Sequence, residues 1–212
     1  MAFLVKVCGV TRPEDAAMAA QAGADAIGLN FWHGSKRFVK SEQQAKEIIS
    51  AVPRGVLTVG LFVNAHPLVV TETLRDLKLD RIQLHGDERV GDWAEIGKRN
   101  LIRALRVSDE ASLKEALGWD VDLFICDAFA ERAFGGTGKL APWDLIASYA
   151  PKPFLLAGGL NPENVSDGIR VTRPTGVDVS SGTEKEPGIK DADLTRRFID
   201  NARACAKELG LG

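Results

Sequence analysis

Two side chains capable of acid–base chemistry stand in the first apolar run of the chain. Lys6 and Cys8 are two residues apart, so in a β-strand they point to the same face. The run stops at Gly9, and Thr11 with Glu14 then has the spacing of a helix capping box. This pattern predicts a strand that carries a thiol to its C-terminal end. Most free cysteines are small buried hydrophobic residues, so the rest of the chain must decide whether Cys8 is reactive.

Other polar residues interrupt apolar runs that are otherwise typical of buried parallel strands. They are Gln83, His85, Arg103, Asp127 and Asp178. His85 ends its run beside a glycine, a position that suits a site residue and a loop-anchoring imidazole equally well. Lys6 and Asp178 would be neighbours if the first and last strands pair. A structural ion pair there is at least as reasonable as a catalytic role.

The elements that must position these residues repeat eight times. Apolar runs that predict strands alternate with helical segments. The runs cover residues 4–8, 25–31, 55–63, 81–85, 101–107, 121–127, 153–157 and 175–179. This alternation predicts an α/β protein with a parallel sheet and crossover helices. Eight units, with no dinucleotide-binding glycine fingerprint after the first strand, favour a closed (β/α)8 TIM barrel over an open doubly wound sheet. We expect residues 1–212 to form a single domain.

Helix boundaries are predicted from capping residues, first-turn prolines and terminal glycines. The predicted caps are Thr11, Ser41, Asn64, Ser108, Asn161 and Asp191. Four helices are predicted with both ends defined, over residues 13–22, 88–98, 108–117 and 142–149. A further helix is predicted to end near residue 77. Gly210 is expected to end the last helix.

Composition narrows the class of protein. The chain has 212 residues, 45% of them hydrophobic, and a formal net charge of −2, which gives no general attraction to nucleic acid or to an anionic membrane. No apolar run approaches the roughly 20 residues of a transmembrane helix. Three cysteines without close spacing argue against a disulfide framework or a metal cluster. Without a signal-peptide pattern, the cytoplasm is the expected location.

Two turns containing glycine have the features of a phosphate site. Gly158 and Gly159 follow the seventh strand, and Ser180, Ser181 and Gly182 follow the eighth. Their backbone N–H groups and hydroxyls suit a phosphate dianion, and TIM barrels commonly bind phosphate at these two loops.

The motifs together resemble the phosphoribosylanthranilate isomerase family of tryptophan biosynthesis. The matching stretches are KVCGVT (6–11), SKRFV (35–39), VGLFVN (59–64), IQLHG (82–86), GGTGK (135–139), LAGGLNPEN (156–164) and GVDVSSG (176–182). They span the chain in the family's order. One departure is the stretch 31–35, where the family more often has an aromatic residue followed by proline.

The resemblance implies an Amadori rearrangement of N-(5-phosphoribosyl)anthranilate, the third step of tryptophan biosynthesis from chorismate. It implies that Cys8 is the general base, Asp127 the general acid and Arg37 the ligand of the anthranilate carboxylate. It places the other substrate-binding residues at His85, Gly136, Gly138, Gly158, Gly159, Asp178, Ser180, Ser181 and Gly182. The reaction requires neither a metal nor an organic cofactor. A monomer or a homodimer is expected.

Three other interpretations remain at this point. A histidine-pathway aminoaldose–ketose isomerase is expected to have an aspartate in place of Cys8. Indole-glycerol-phosphate synthase should have catalytic lysine and glutamate residues on interior strands, where this chain has only Lys6. A barrel that only binds phosphate ligands should have lost the acid or the base, and both are present. Cys126 and Cys205 are predicted to be core residues.

Overall fold

Eight parallel strands form a closed barrel in the computed structural model, which describes residues 2–93, 96–128, 141–151 and 153–212. The strands are β1 (Leu4–Cys8), β2 (Ala26–Asn30), β3 (Leu57–Phe62), β4 (Arg81–Leu84), β5 (Leu101–Val107), β6 (Leu123–Ala128), β7 (Phe154–Leu156) and β8 (Gly176–Val179). Each strand pairs with the next, and β8 pairs with β1 to close the ring. The predicted (β/α)8 barrel is therefore confirmed.

Helices connect most of the strands. They are α1 (Pro13–Gln21), α2 (Glu42–Ser50), α3 (Pro67–Asp76), α4 (Glu110–Lys114), α5 (Trp143–Tyr149), α6 (Val165–Thr172) and α7 (Ala192–Glu208). After β8 the chain adds a small antiparallel hairpin, β9 (Glu184–Glu186) and β10 (Ile189–Lys190). Among the residues that the structure describes, no helix is long and apolar enough to cross a membrane.

The prediction of a helix over residues 88–98 is wrong for the described part of that segment. Short 3-10 turns, Val90–Trp93 and Lys98–Asn100, replace it. Glycine at two positions of the segment weakens an α-helix, and Gly97 has a φ of 77°, outside the helical region. The buried side chain of Trp93 fixes the first turn against the core.

Two of the predicted caps are confirmed. The Ser41 hydroxyl accepts a hydrogen bond from the backbone N–H of Gln44 at the start of α2. The Asp191 carboxylate accepts from the N–H groups of Asp193 and Leu194 at the start of α7. Gly210, at a φ of 67°, follows the end of α7 as predicted.

Two cap predictions in the first half of the chain are wrong. Thr11 donates its hydroxyl to the carbonyl of Gly188 in the β9–β10 hairpin, and α1 has no side-chain cap. Asn64 has a left-handed backbone and accepts a hydrogen bond from the N–H of Asp87. His66 caps α3 instead, through its Nδ1. In both cases a distant loop offers the predicted cap a better partner than the helix does.

Two cap predictions in the second half are also wrong. Asp109, one residue after Ser108, caps α4 in a reciprocal capping box. Asn161 accepts hydrogen bonds from the N–H groups of Glu163 and Asn164, but these bonds form a separate turn. The helix α6 itself begins only at Val165.

Alternation along each strand divides the core into two parts. Side chains such as Val5 and Val7 pack outward against the helices, whereas Lys6 on the same strand faces the barrel interior. Cys126 and Cys205 are buried in the core between strands and helices, as predicted. Burial raises the pKa of Cys126 to about 12, so its thiol remains protonated.

Candidate active site

A pocket of about 570 Å³, including its open mouth, lies at the C-terminal ends of the strands. It is lined by Cys8, Gly9, Asn30, Ser35, Arg37, Leu61, Gln83, His85, Asp127, Ala157, Gly158, Gly159, Leu160, Asp178, Val179, Ser180 and Ser181. Within the described residues, nine of the predicted site residues meet here although they come from six different strand ends or loops. Closure of the barrel brings them together.

Cys8 ends β1 and is 5% exposed. Burial raises the pKa of its thiol, and the positive charge of Lys6 offsets part of this increase. Gly28 pairs with Cys8 across the β1–β2 ladder, and a Cβ added there would lie 2.6 Å from the Cys8 sulfur. Gly28 therefore makes room for the thiol. Sequence reasoning missed this residue, although a glycine inside a strand is a signal of close approach.

Asp127 lies in β6 and approaches His85, which follows β4. The carboxylate oxygen Oδ2 of Asp127 is 3.2 Å from Nε2 of His85, and both side chains are buried. The other ring nitrogen, Nδ1, is 2.8 Å from the amide nitrogen of Gln83. The imidazole therefore lies between the Gln83 amide and the Asp127 carboxyl group. Gln83 lines the pocket as well, although it was not among the predicted substrate-binding residues.

The turns predicted to bind phosphate lie next to each other at one side of the pocket. Gly158 and Gly159 both have positive φ angles, 86° and 66°, a backbone that strongly favours glycine. Ser180 and Ser181 line the pocket beside them. Gly182 is outside the lining and packs on the backbone of Leu160, where an added Cβ would be 1.9 Å from the carbonyl oxygen. It holds the two turns together.

Two further predicted residues, Gly136 and Gly138, lie outside the described residues. No contact in the described structure bears on them. A turn at residues 161–164 separates Gly159 from the start of α6. Backbone N–H groups of the two turns, rather than a helix end, form this part of the site.

Arg37 reaches the pocket from the loop after β2. Its Nε and Nη2 donate to the two carboxylate oxygens of Glu184, at 2.8 and 2.7 Å. The side chain crosses over Gly9, where an added Cβ would lie 2.4 Å from Cδ of the arginine. Lys190 donates in turn to Glu184, at 3.0 Å. Neither Glu184 nor Lys190 was among the predicted site residues, because their link to Arg37 exists only in the folded chain.

The residues around the pocket are acid–base groups and anion ligands. Within the described ranges, no group of three or more His, Cys, Asp or Glu side chains is arranged to hold a metal ion. The pocket lining combines two groups that can bind anions, the N–H groups of the glycine turns and the guanidinium of Arg37, with a thiol and a carboxyl group.

Comparison with known proteins agrees with this chemistry. The family model described as N-(5'phosphoribosyl)anthranilate (PRA) isomerase matches residues 5–201. The N-(5'-phosphoribosyl)anthranilate isomerase of Pelobacter propionicus is 45% identical over 205 residues, which are 96% of this chain and 97% of that protein. The enzyme of Magnetococcus marinus is 43% identical over the full length of both chains.

Solved structures give the same result. The crystal structure of phosphoribosyl anthranilate isomerase from Thermotoga maritima has a TM-score of 0.87 and 38% identity, and the match covers 95% of this chain and 99% of that one. A crystal structure of the isomerase in complex with reduced 1-(o-carboxyphenylamino)-1-deoxyribulose 5-phosphate has a TM-score of 0.82 and 37% identity, with the same coverage. The chain belongs to the N-(5'-phosphoribosyl)anthranilate isomerase family.

Proposed function

We propose that Cys8 and Asp127 perform the proton transfers of the family's reaction in this chain. The chain is an aldose–ketose isomerase, an intramolecular oxidoreductase that converts N-(5-phosphoribosyl)anthranilate to 1-(2-carboxyphenylamino)-1-deoxyribulose 5-phosphate in tryptophan biosynthesis. The observation that carries the assignment is that a buried thiol and a buried carboxyl group line one pocket together with the glycine turns and Arg37.

The chemistry requires one acid and one base. Asp127 donates a proton to the ring oxygen of the sugar, so that the furanose opens to a Schiff base. Cys8, as the thiolate, then removes the proton from C2, and the resulting enolamine tautomerises to the ketone. General acid–base groups of this kind typically accelerate a reaction by about 10²–10⁴-fold each.

The remaining site residues hold the two ends of the substrate. Gly158, Gly159, Ser180 and Ser181 bind the phosphate through N–H groups and hydroxyls. Gly182 supports them, and Gly136 and Gly138 complete the substrate-binding set that the family resemblance implies. At the other end, Arg37 binds the ring carboxylate, which suits a guanidinium because it offers parallel N–H donors.

Two buried residues orient the catalytic pair. His85 holds the Asp127 carboxyl group through the 3.2 Å contact with its Nε2. Asp178 pairs with Lys6 at 2.8 Å beneath Cys8 and fixes the ammonium near the thiol. Neither step needs a metal or an organic cofactor, because Asp127 supplies the proton for ring opening and Cys8 accepts the proton from C2.

The same assignment fits the wider properties of the chain. We infer one domain over residues 1–212, a cytoplasmic location, no nucleic-acid or membrane partner, and a monomer or homodimer. The Thermotoga maritima isomerase is dimeric, and engineered monomers of it have been crystallised. The net charge of −2 is consistent with a small-molecule enzyme.

A turnover assay tests the proposal. Purified protein should consume phosphoribosylanthranilate, followed by the loss of anthranilate-type fluorescence. Cys8→Ser should lower kcat by about 10²–10⁴-fold because the hydroxyl supplies almost no anion to act as base. Cys205→Ser is the matched control, since Cys205 is buried away from the pocket and its hydroxyl replacement can keep the bond to the carbonyl of Ser166. A Cys8→Ser enzyme with wild-type kcat would show that the thiol is only packing.

A further inference from the structure

Three charged side chains form a buried cluster between the loop after β2 and the hairpin after β8. Glu184 accepts two hydrogen bonds from Arg37 and one from the ammonium of Lys190. Lys190 also donates to the carbonyl of Ser180, at 2.9 Å. The side chains of Lys190 and Glu184 are 0% and 4% exposed. The cluster is therefore shielded from solvent except through the arginine.

Only one member of the cluster reaches the pocket. Arg37 lines it, whereas Glu184 and Lys190 do not. Glu184 uses the Nε edge of the guanidinium, and this leaves Nη1 and one N–H of Nη2 as further donors. These N–H groups lie side by side at the end of the guanidinium. A second carboxylate can accept one hydrogen bond from each of them in parallel.

The charges of the cluster decide how well that second carboxylate binds. Arg37 and Glu184 alone sum to zero, so a buried pair of this kind has little attraction for an anion. Lys190 adds a positive charge, and the cluster of three carries a net charge of +1. Because the groups are buried, solvent screens this charge much less than it screens a surface charge.

We propose that Lys190 is a positioning residue that compensates the charge of Glu184, so that Arg37 remains an effective cation for the carboxylate on the aromatic ring of the substrate. This inference rests on the proposed function, because it takes the ring carboxylate as the ligand of Arg37. Lys190 acts through Glu184 and touches no part of the substrate.

The protonation states of the cluster agree with this role. Burial raises the pKa of Glu184, but the hydrogen bond from Arg37 and the charge of Lys190 outweigh it and hold the pKa below its usual value of 4.5. Burial lowers the pKa of Lys190, and the negative charge of Glu184 offsets part of that decrease. Both partners of the Lys190 side chain are acceptors, as an ammonium group requires.

The test separates carboxylate recognition from general stability. Two ligands are compared by calorimetry: reduced 1-(o-carboxyphenylamino)-1-deoxyribulose 5-phosphate, and the same compound with an unsubstituted phenyl ring. The ratio of their dissociation constants measures the contribution of the carboxylate. Lys190→Met, which reduces the cluster to zero charge, should lower this ratio by about tenfold. The double variant Lys190→Met/Glu184→Gln restores a charge of +1 and should return the ratio towards the wild-type value.

A matched control lies on the same hairpin. Lys185 is exposed, so Lys185→Met removes the same charge from the chain and should leave the ratio unchanged. Lys190→Gln, which is neutral but keeps a donor for the Ser180 carbonyl, gives the same comparison if Lys190→Met does not fold. An equal loss of affinity for both ligands would overturn the proposal, because it would show that Lys190 only supports the loops. Failure of the double variant to restore the ratio would overturn it too.

The proposed catalytic mechanism is tested separately. Binding of the two ligands does not depend on proton transfer by Cys8 or Asp127. Loss of turnover with an intact carboxylate ratio would therefore count against the catalytic assignment alone. Normal turnover by an enzyme that binds both ligands equally well would count against Arg37 and Lys190 alone.

Discussion

The ammonium group of Lys6 lies 2.8 Å from the carboxylate of Asp178, and this ion pair joins the first strand of the barrel to the last. The two residues are register partners across the β1–β8 ladder. Lys6 is 1% exposed, and the carboxylate also faces the pocket that contains Cys8. The pair therefore closes the barrel and places a positive charge close to the thiol.

Removal of one partner should destabilise the fold. Lys6→Met leaves the carboxylate of Asp178 buried without its cation, and we expect the free energy of unfolding to fall by about 3–5 kcal/mol. Urea denaturation measures this change. The double variant Lys6→Met/Asp178→Asn should lose less, because no uncompensated charge remains. A Lys6→Met protein as stable as the exposed-site variant Lys185→Met would contradict the structural role of the pair.

The raised pKa of Cys8 predicts the pH dependence of the reaction. Burial moves this pKa above its usual value of 9.0, and Lys6 opposes only part of the shift. The thiolate fraction, and with it kcat/KM, should therefore rise by about tenfold per pH unit through the neutral range. Steady-state rates from about pH 6 to about pH 9 test this expectation. Binding of the reduced product, measured at the same pH values, shows whether affinity contributes to the change. A rate that is already constant at neutral pH would exclude Cys8 as the titrating base.

Asp127 should be needed for ring opening and not for the later proton abstraction. Asp127→Asn keeps the shape of the side chain but has no acidic proton to give, so kcat should fall by about 10²–10⁴-fold. A substrate analogue whose sugar ring is already open should be turned over by Asp127→Asn at close to the wild-type rate. Cys8→Ser should fail with the same analogue. Equal losses for both variants on the open analogue would remove the distinction between acid and base.

Arg37 should control substrate affinity more than the rate of the chemical step. Arg37→Lys keeps the charge but loses the fork that pairs with Glu184 and with the ring carboxylate. Since a hydrogen bond to a charged group contributes about 1.5–3 kcal/mol, KM should rise by at least about tenfold while kcat changes little. Arg170→Lys, on the exposed face of α6, is the control substitution. An unchanged KM in Arg37→Lys would show that this arginine has only a structural role.

Local pattern was sufficient for much of the fold and for part of the site. A strand places alternate side chains on opposite faces, so the spacing of Lys6 and Cys8 already directs both away from Val5 and Val7. Residues at the C-terminal ends of parallel strands meet at one end of a barrel, and this rule predicted that Cys8 and Asp127 share a pocket.

Contacts between distant segments decided what the pattern left undetermined. Thr11 and Asn64 have the composition and spacing of helix caps, yet each bonds to another loop in the folded chain. In the folded chain, all nearby donors and acceptors compete for the side chain of a capping residue. The sequence shows only the local ones.

The charged supporting residues of the site were beyond prediction for the same reason. Glu184 lies 147 positions from Arg37 along the chain, so no local pattern links the two. Gln83 and His85 differ in this respect, because residues two apart on a strand share a face and their contact follows from the spacing. Residue types and periodicity predicted the barrel and the polar side chains at its strand ends, and the family resemblance gave those side chains their expected roles. For Arg37, Glu184 and Lys190, the tertiary structure alone decided which buried charges compensate one another, because the energy of a buried charge depends on its distance to partners that only the folded chain brings into contact.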